Sequence, residues 1–206
     1  MGLEGVHHPG MEFRNDEWAL ELNPKGTVPF VKDGDLVLNE SNTIVSYIAN
    51  KYGQDAGLYP QSESELALAW QWLEYGETTL APATNPVFFP VVRGTFYPPG
   101  SGPEGKDTPG PEEIDPAVPA CAAAFAVLDK HLADKRFVLG SRFTMADVTM
   151  AIQANRLIGN EGFGYEELAP DKYPNVVAWH GRLSQRAAFA AEVLPRKQKG
   201  SVFNAC

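Results

Sequence analysis

The spacing of apolar positions changes near residue 60. Before that point, short apolar runs at residues 28–32 and 35–38 flank an Asp-Gly dipeptide, which readily adopts the positive φ angles of a tight hairpin turn. Residues 44–52 then carry apolar side chains at helical spacing, with Gly53 placed to end the helix. The pattern predicts an antiparallel hairpin that leads into a helix of about three turns.

Beyond this point the apolar positions recur at helical spacing throughout. Prolines at positions 82, 86 and 90 are expected to kink or interrupt the first helix, because proline lacks a backbone donor. A stretch rich in Pro and Gly at residues 94–115 predicts a loop. Helices are predicted over residues 63–80, 87–93, 116–135, 144–157, 175–185 and 189–194.

The composition and net charge exclude several classes of protein and of partner. The 206 residues are 44% apolar, enough for a sizeable core, and we place two domains at residues 1–60 and 61–206. With 17 Lys and Arg against 26 Asp and Glu, the net charge of -9 disfavours nucleic acid and anionic membranes as partners. Cys121 and Cys206 form no disulfide framework, which favours a cytoplasmic compartment. No apolar run is long enough to span a membrane, and no spacing of His, Cys and Asp indicates a metal site.

Residues 143–147 (Phe-Thr-Met-Ala-Asp) carry the sharpest local signal. Thr144 at a helix start and Asp147 three residues later match a capping box, in which each side chain bonds the other residue's backbone N–H. We interpret the pair as a buried helix start that organises the helical core. A catalytic role for Asp147 is the alternative.

Residues 23–29 (Asn-Pro-Lys-Gly-Thr-Val-Pro) place a proline at the opening of a strand. A plain proline at the strand start is the favoured interpretation from the residues alone. The alternative is a cis bond between Val28 and Pro29, since cis bonds are tolerated before proline. That geometry turns the N–H and C=O of Val28 outward, where they can pair with an extended peptide.

Glu40 and Ser41 stand where the predicted helix begins. A helix N-terminus attracts a carboxylate, and the Glu40 carboxylate can hold an ammonium group, so the pair describes a site for an α-amino-acid end. The spacing fits equally well with Ser41 as a simple helix cap.

Four separated motifs resemble those of the cytosolic glutathione transferases, of the bacterial, theta-like kind, in the same order and over nearly the whole chain. They are residues 23–29, 38–44 (Leu-Asn-Glu-Ser-Asn-Thr-Ile), 58–60 (Leu-Tyr-Pro) and 143–147. The resemblance implies a thioredoxin-like domain with a glutathione site, then an all-helical domain that forms most of the pocket for an apolar electrophile. It also implies a homodimer and a role in detoxification by conjugation of the glutathione thiolate.

The resemblance assigns roles to several residues. Val28, before a cis Pro29, pairs with the cysteinyl backbone of glutathione, and Glu40 and Ser41 bind its γ-glutamyl end. The electrophile pocket is expected to involve four residues of the first helices of the second domain, although aromatic stripes at this spacing also form cores. These residues are Trp72, Tyr75, Thr79 and Phe88.

One departure from the family concerns the group beside the glutathione sulfur. The family begins with a strand and helix that supply a Ser, Tyr or Cys, whereas residues 1–22 contain none of these. The chain is expected to enter the family pattern near its second strand, around residues 6–11, so that the first domain is incomplete. The catalytic residue is unknown, with Thr27, His7 and His8 as weak substitutes. A non-catalytic ligand-binding or scaffold protein, or a shortened form of a longer enzyme, is the alternative.

Overall fold

The structure is a computed structural model that describes residues 16–96 and 114–192, with only the backbone at residues 90–96 and 192. The segment at residues 6–11, both N-terminal histidines, Cys206 and most of the Pro- and Gly-rich stretch therefore lie outside the described residues.

A two-stranded hairpin confirms the prediction for the first domain. Strand β1 (Phe30–Asp33) pairs antiparallel with β2 (Leu36–Asn39). The turn is formed by Gly34, with a φ of 63°, and Asp35, one residue later than expected. Strand β1 begins only after Pro29, which has no N–H to donate to a ladder.

Helix α1 (Glu17–Leu22) precedes the hairpin and was not predicted. Ala19 is its only buried residue, so the sequence shows no apolar stripe. Helix α2 (Ser41–Tyr52) follows the hairpin as predicted. Gly53 ends it with a φ of -110°, so glycine is favoured there by space: a Cβ would lie 2.8 Å from the carbonyl oxygen of Ala49.

The rest of the described chain is helical. Its elements are α3 (Glu63–Tyr75), a π-helical turn (Gly76–Leu80), α4 (Ala81–Phe96), α5 (Val118–Leu132), α6 (Met145–Gly159), α7 (Pro174–Ser184) and α8 (Ala187–Glu192), with short 3₁₀ turns at Asp115–Ala117, Glu161–Gly164, Glu166–Leu168 and Pro170–Lys172. The predicted helices are confirmed, except that residues 87–93 belong to the longer helix α4 and that residues 193–194 lie outside the described residues. An α+β domain followed by an all-helical domain is the observed fold class.

The expected break at the prolines is wrong in position. Helix α4 continues through Pro82 and Pro86, and the irregular geometry lies just before them, in the π-helical turn. In a regular α-helix the Pro82 ring would meet the carbonyl of residue 78, which belongs to that turn. The widened turn is therefore the way in which the chain accommodates the proline.

Helix α6 lies at the centre of the helical domain and packs against α2, α3, α4 and α7. The interior is filled by large apolar side chains that are almost fully buried: Leu73, Leu80, Phe88, Phe125, Leu128, Met145, Met150, Leu157, Leu168, Trp179 and Leu183. The same cluster includes Ala49 of α2, so the first domain is packed onto the second. No helix in the described ranges is long and apolar enough to cross a membrane.

The loop between α2 and α3 is bound to the start of α6. The Met145 N–H donates to the Leu58 carbonyl at 2.9 Å, and Arg142 donates to the Gly57 carbonyl at 2.9 Å. Arg142 also forms a 2.8 Å ion pair with Glu65. These bonds cross the boundary proposed at residue 60, which stays a prediction.

Candidate functional site

The loop before β1 carries the first half of the predicted site. The bond between Val28 and Pro29 is cis, as the family resemblance implies, whereas the residues alone favoured a plain proline. Pro29 is exposed and Val28 half-buried. Among the described residues, no hydrogen bond involves the backbone of Val28.

The second half of the site lies where β2 runs into α2. Glu40 has a φ of 71°, a left-handed conformation that is uncommon for a residue with a side chain. Ser41 is the first helical residue and is exposed, while Glu40 occupies the cap position. The interpretation of Ser41 as the helix cap is therefore wrong. Helix α2 has 12 residues, and its first N–H groups have no acceptor within the helix. These N–H groups lie beside the two side chains.

A lysine that the sequence reasoning missed reaches Glu40. The Lys25 ammonium lies 2.6 Å from Oε1 of Glu40, and the two side chains are 58% and 65% exposed. Such exposed pairs contribute at most about 1 kcal/mol, so the Glu40 carboxylate stays accessible to another cation. The sequence separation of 15 residues gave no local signal of this contact.

Asn23, also missed, connects the two halves. Its side chain is almost completely buried and contacts residues on both sides. Nδ2 donates to the Thr27 carbonyl at 2.7 Å and to Thr27 Oγ1 at 3.2 Å, while Oδ1 accepts from the Lys25 N–H at 3.4 Å and from Asn39 Nδ2 at 3.5 Å. An Asn followed by Pro-x-Gly is typical of a side-chain-stabilised turn, which is the signal that could have identified it.

The four residues predicted for the electrophile pocket are in different environments. Trp72 and Phe88 are buried in the helical core, Tyr75 is half-buried, and Thr79 is exposed on the π-helical turn. The Tyr75 hydroxyl donates to the Ala124 carbonyl at 2.8 Å, and burial raises the pKa of Tyr75. Their role in a pocket stays a prediction.

Trp72 and Phe88 make contacts typical of a core. Trp72 lies with its ring centre 4.0 Å from that of His131, whose Nε2 is 2.7 Å from the Val138 carbonyl. Phe88 packs against Phe163. A pocket of about 350 Å³ is lined by Gln54, Tyr59, Pro60 and Gln61, none of which is among these four residues.

Asp147 occupies a fully buried, fully bonded position. Its carboxylate accepts the Thr144 N–H at 2.8 Å, the Val138 N–H at 2.8 Å and the Trp179 indole N–H at 2.9 Å. Burial raises the pKa of Asp147, against the effect of these donors. The capping box is confirmed, and with no exposed atom the carboxylate is structural.

Asp33, the last residue of β1, forms a second polar cluster with three side chains of α2. It accepts hydrogen bonds from Lys51 at 2.8 Å, from Tyr47 at 2.9 Å and from the Tyr52 hydroxyl. Hydrogen bonds from Lys51, Tyr52 and Tyr47 lower the pKa of Asp33 to about 2. All three donors face one carboxylate, so this cluster holds the hairpin against α2.

Two further observations concern other chemistry. Cys121 is buried, which raises its pKa to about 11, so its thiol is unreactive at neutral pH. Within residues 16–89 and 114–191, no three His, Cys, Asp or Glu side chains are grouped closely enough to hold a metal ion.

Comparison with known proteins identifies relatives of this chain. Residues 2–56 match the glutathione S-transferase N-terminal domain, and residues 111–182 match the glutathione S-transferase C-terminal domain. Glutathione S-transferase GstB of Escherichia coli K12 is 32% identical over 189 residues, which cover 90% of this chain and 83% of that protein. The chain belongs to the glutathione S-transferase family. Glutathione S-transferase theta-1 of Bos taurus is 30% identical over 180 residues, 84% of this chain and 67% of that protein.

Solved transferase structures share the fold. The theta-class enzyme of Xanthomonas axonopodis pv. citri, with glutathione bound, superposes with a TM-score of 0.70 at 31% identity, over 88% of this chain and 79% of that one. A transferase from Burkholderia graminis, with two glutathione molecules per subunit, gives 0.68 at 26% identity, over 86% and 71%. The thioredoxin-like domain followed by an all-helical domain is thus confirmed as the fold class.

Proposed function

We propose that this protein binds glutathione along the edge formed by Val28, Pro29, Glu40 and Ser41, and that it transfers the thiolate to an apolar electrophile. The observation that carries the proposal is the exposed Glu40–Ser41 pair at the start of α2, beside a loop with a cis Val28–Pro29 bond. Membership of the transferase family and the glutathione-bound relatives support it.

The γ-glutamyl end of glutathione carries an ammonium and a carboxylate on one carbon. In the proposal the Glu40 carboxylate receives the ammonium, and Ser41 with the first N–H groups of α2 receives the carboxylate. Lys25 already occupies the Glu40 carboxylate at 2.6 Å, so the incoming ammonium shares or displaces it. Because this ion pair is exposed, its loss has a low cost.

The cysteinyl part of glutathione is an extended peptide unit. The N–H and C=O of Val28 are proposed to pair with it as one residue of a strand would, which gives affinity through the main chain. Pairing at this point and at Glu40 together fixes the direction of the bound peptide.

The chemical step requires the thiolate form of glutathione. A cysteine thiol has a pKa near ~8.5, so only a small fraction is ionised at neutral pH without a stabilising donor. The donor is not identified, so the catalytic residue remains unknown. The apolar electrophile is expected to lie against the helical domain, with Trp72, Tyr75, Thr79 and Phe88 as proposed neighbours. Holding the two reactants together supplies the rate.

A non-catalytic glutathione-binding or scaffold protein is the second candidate. In the described part of the first domain, Tyr47 and Tyr52 direct their hydroxyls to Asp33, so neither is available to a thiol.

Calorimetric titration with glutathione tests the binding half of the proposal. We expect saturable binding that is weakened about tenfold or more by Glu40→Gln or Ser41→Ala, since each removes a charge-assisted bond. Asp171→Asn, an exposed acidic residue on a 3₁₀ turn, serves as the matched control and leaves the affinity unchanged. A folded sample that shows no binding would overturn the proposed function.

An assay with an electrophilic aryl halide and glutathione tests the chemical half. Conjugation faster than in buffer, with a rate that falls in Glu40→Gln, supports the transferase. Binding without any rate above buffer favours the non-catalytic candidate.

The protein partner and the compartment are part of the same proposal. We propose a homodimer, supported by the exposed apolar side chains of Leu68 and Trp70 on α3. Sedimentation at two concentrations tests the dimer, since a monomer at both would contradict it.

We also propose that the protein acts in detoxification in the cytoplasm, where glutathione keeps thiols reduced.

A further inference from the structure

Among the residues that the structure describes, Asn23 is the buried polar side chain that contacts both halves of the proposed glutathione edge. Its backbone ends α1, where its N–H donates to the Ala19 carbonyl at 2.8 Å, and its carbonyl accepts the Gly26 N–H at 2.9 Å. Its side chain is 1% exposed. It is therefore held from both sides, and its amide has one fixed place.

The amide can adopt only one orientation. Nδ2 points at the Thr27 carbonyl, 2.7 Å away, and a carbonyl accepts but never donates. Oδ1 then faces two donors, the Lys25 N–H and Asn39 Nδ2, at the longer distances of 3.4 Å and 3.5 Å. If the amide were rotated by half a turn, Oδ1 would face the Thr27 carbonyl oxygen, and Nδ2 would face the donors from Lys25 and Asn39.

We propose that Asn23 is a positioning residue that fixes the Val28 half of the site relative to the Glu40 half. This inference rests on the proposed function. The bonds to Thr27 fix the backbone directly before Val28, and the bond from Asn39 reaches the residue directly before Glu40. Glutathione spans both halves, so its affinity depends on their separation. A ligand that touches only Glu40 and Ser41 is insensitive to it.

This difference between two ligands provides the test. Glutathione and γ-glutamyl-methylamide, which has the γ-glutamyl end alone, are titrated into the wild-type protein and into Asn23→Ala, with binding followed by calorimetry and by amide chemical shifts. We expect Asn23→Ala to weaken glutathione about tenfold and to change γ-glutamyl-methylamide by less than about twofold. Asn50→Ala is the matched control, since the Asn50 side chain contacts Gln54 on the exposed side of α2.

A second variant covers the case in which Asn23→Ala fails to fold. Asn39→Ala removes only the 3.5 Å bond to Asn23 and leaves the loop before Val28 intact. We expect a loss of about threefold for glutathione and none for γ-glutamyl-methylamide.

The outcomes separate the two proposals. If the wild-type protein binds glutathione and both variants bind it equally well, or lose both ligands to the same extent, Asn23 does not couple the halves. If the folded wild-type protein binds neither ligand, the proposed function itself fails.

Discussion

Two carboxylates, one in each domain, show how the same chemical group serves different ends. Asp147 in the helical domain has no exposed surface and accepts bonds from three different donors at 2.8 to 2.9 Å. Glu40 in the first domain is 65% exposed and is met by a single lysine. The first carboxylate is committed to the fold, whereas the second is available to a ligand.

Stability and ligand binding therefore depend on different carboxylates in this protein. A buried acceptor with three donors ties α6, α7 and the loop at Val138 together, and any substitution leaves donors without partners. An exposed acid at a helix N-terminus contributes little to folding and can therefore exchange partners.

Replacing Asp147 should have the largest effect on stability. Asp147→Ala leaves the backbone N–H groups of Val138 and Thr144 and the indole N–H of Trp179 buried without an acceptor. We expect the free energy of unfolding to fall by about 3 kcal/mol or more, measured by urea denaturation. Glu40→Gln should change it by less than about 0.5 kcal/mol. Similar losses for both variants would contradict the division between the two domains.

The turn after α6 provides a backbone test in the helical domain. At Gly162, with a φ of 68°, a Cβ would lie 2.3 Å from the Leu168 carbonyl oxygen. Gly162→Ala should lower the free energy of unfolding by about 2 kcal/mol or more. Gly181→Ala, in the middle of α7 with nothing within 4 Å of the added methyl, is the control. It should be neutral or stabilise by up to about 1 kcal/mol, and equal losses at both sites would refute the explanation.

Substitution of Ser46 on α2 should raise the free energy of unfolding, whereas the two preceding substitutions lower it. Its hydroxyl is buried and has no hydrogen-bond partner among the described residues. Ser46→Ala removes an unsatisfied polar group, so we expect a gain of about 0.5 to 1 kcal/mol in thermal or urea unfolding. Ser184→Ala, which removes a 2.9 Å bond to the His180 carbonyl, should give no gain. A loss at Ser46 would indicate that a water molecule satisfies the hydroxyl.

The Asp33 cluster gives the first domain a pH dependence of its own. The pKa of Asp33, about 2, lies below the ordinary value of 3.8. The contribution of Asp33 to stability is therefore complete above pH 3.8 and is lost as pH falls through 2. The wild-type protein should be more stable than Asp33→Asn at pH 5, and the difference should shrink between pH 4 and 2. Urea unfolding across this range measures it, and a constant difference would count against the bonds from Lys51, Tyr52 and Tyr47.

The sequence predicted local features better than distant contacts. The hairpin, α2 and the capping box of Thr144 and Asp147 depend on neighbouring residues, so their spacing revealed them. Helix α1 was missed because it buries a single alanine, and α4 includes Pro82 because the π-helical turn before it changes the geometry at residue 78.

The site shows the same limit. Glu40 and Ser41 are proposed from the helix start that they mark, whereas Lys25 reaches Glu40 across 15 residues and Asn39 reaches Asn23 across 16. The aromatic residues on α3 and α4 could not be divided into core and pocket by their periodicity, because both uses require the same inward face.

The backbone amide shifts of the labelled protein during a glutathione titration show whether glutathione binds at the edge formed by Val28, Pro29, Glu40 and Ser41. We expect saturable shifts at Val28, Glu40, Ser41 and the first turn of α2, with the amides of Val138, Thr144 and Asp147 unchanged. Shifts confined to the helical domain, or none at saturating glutathione, would contradict the account.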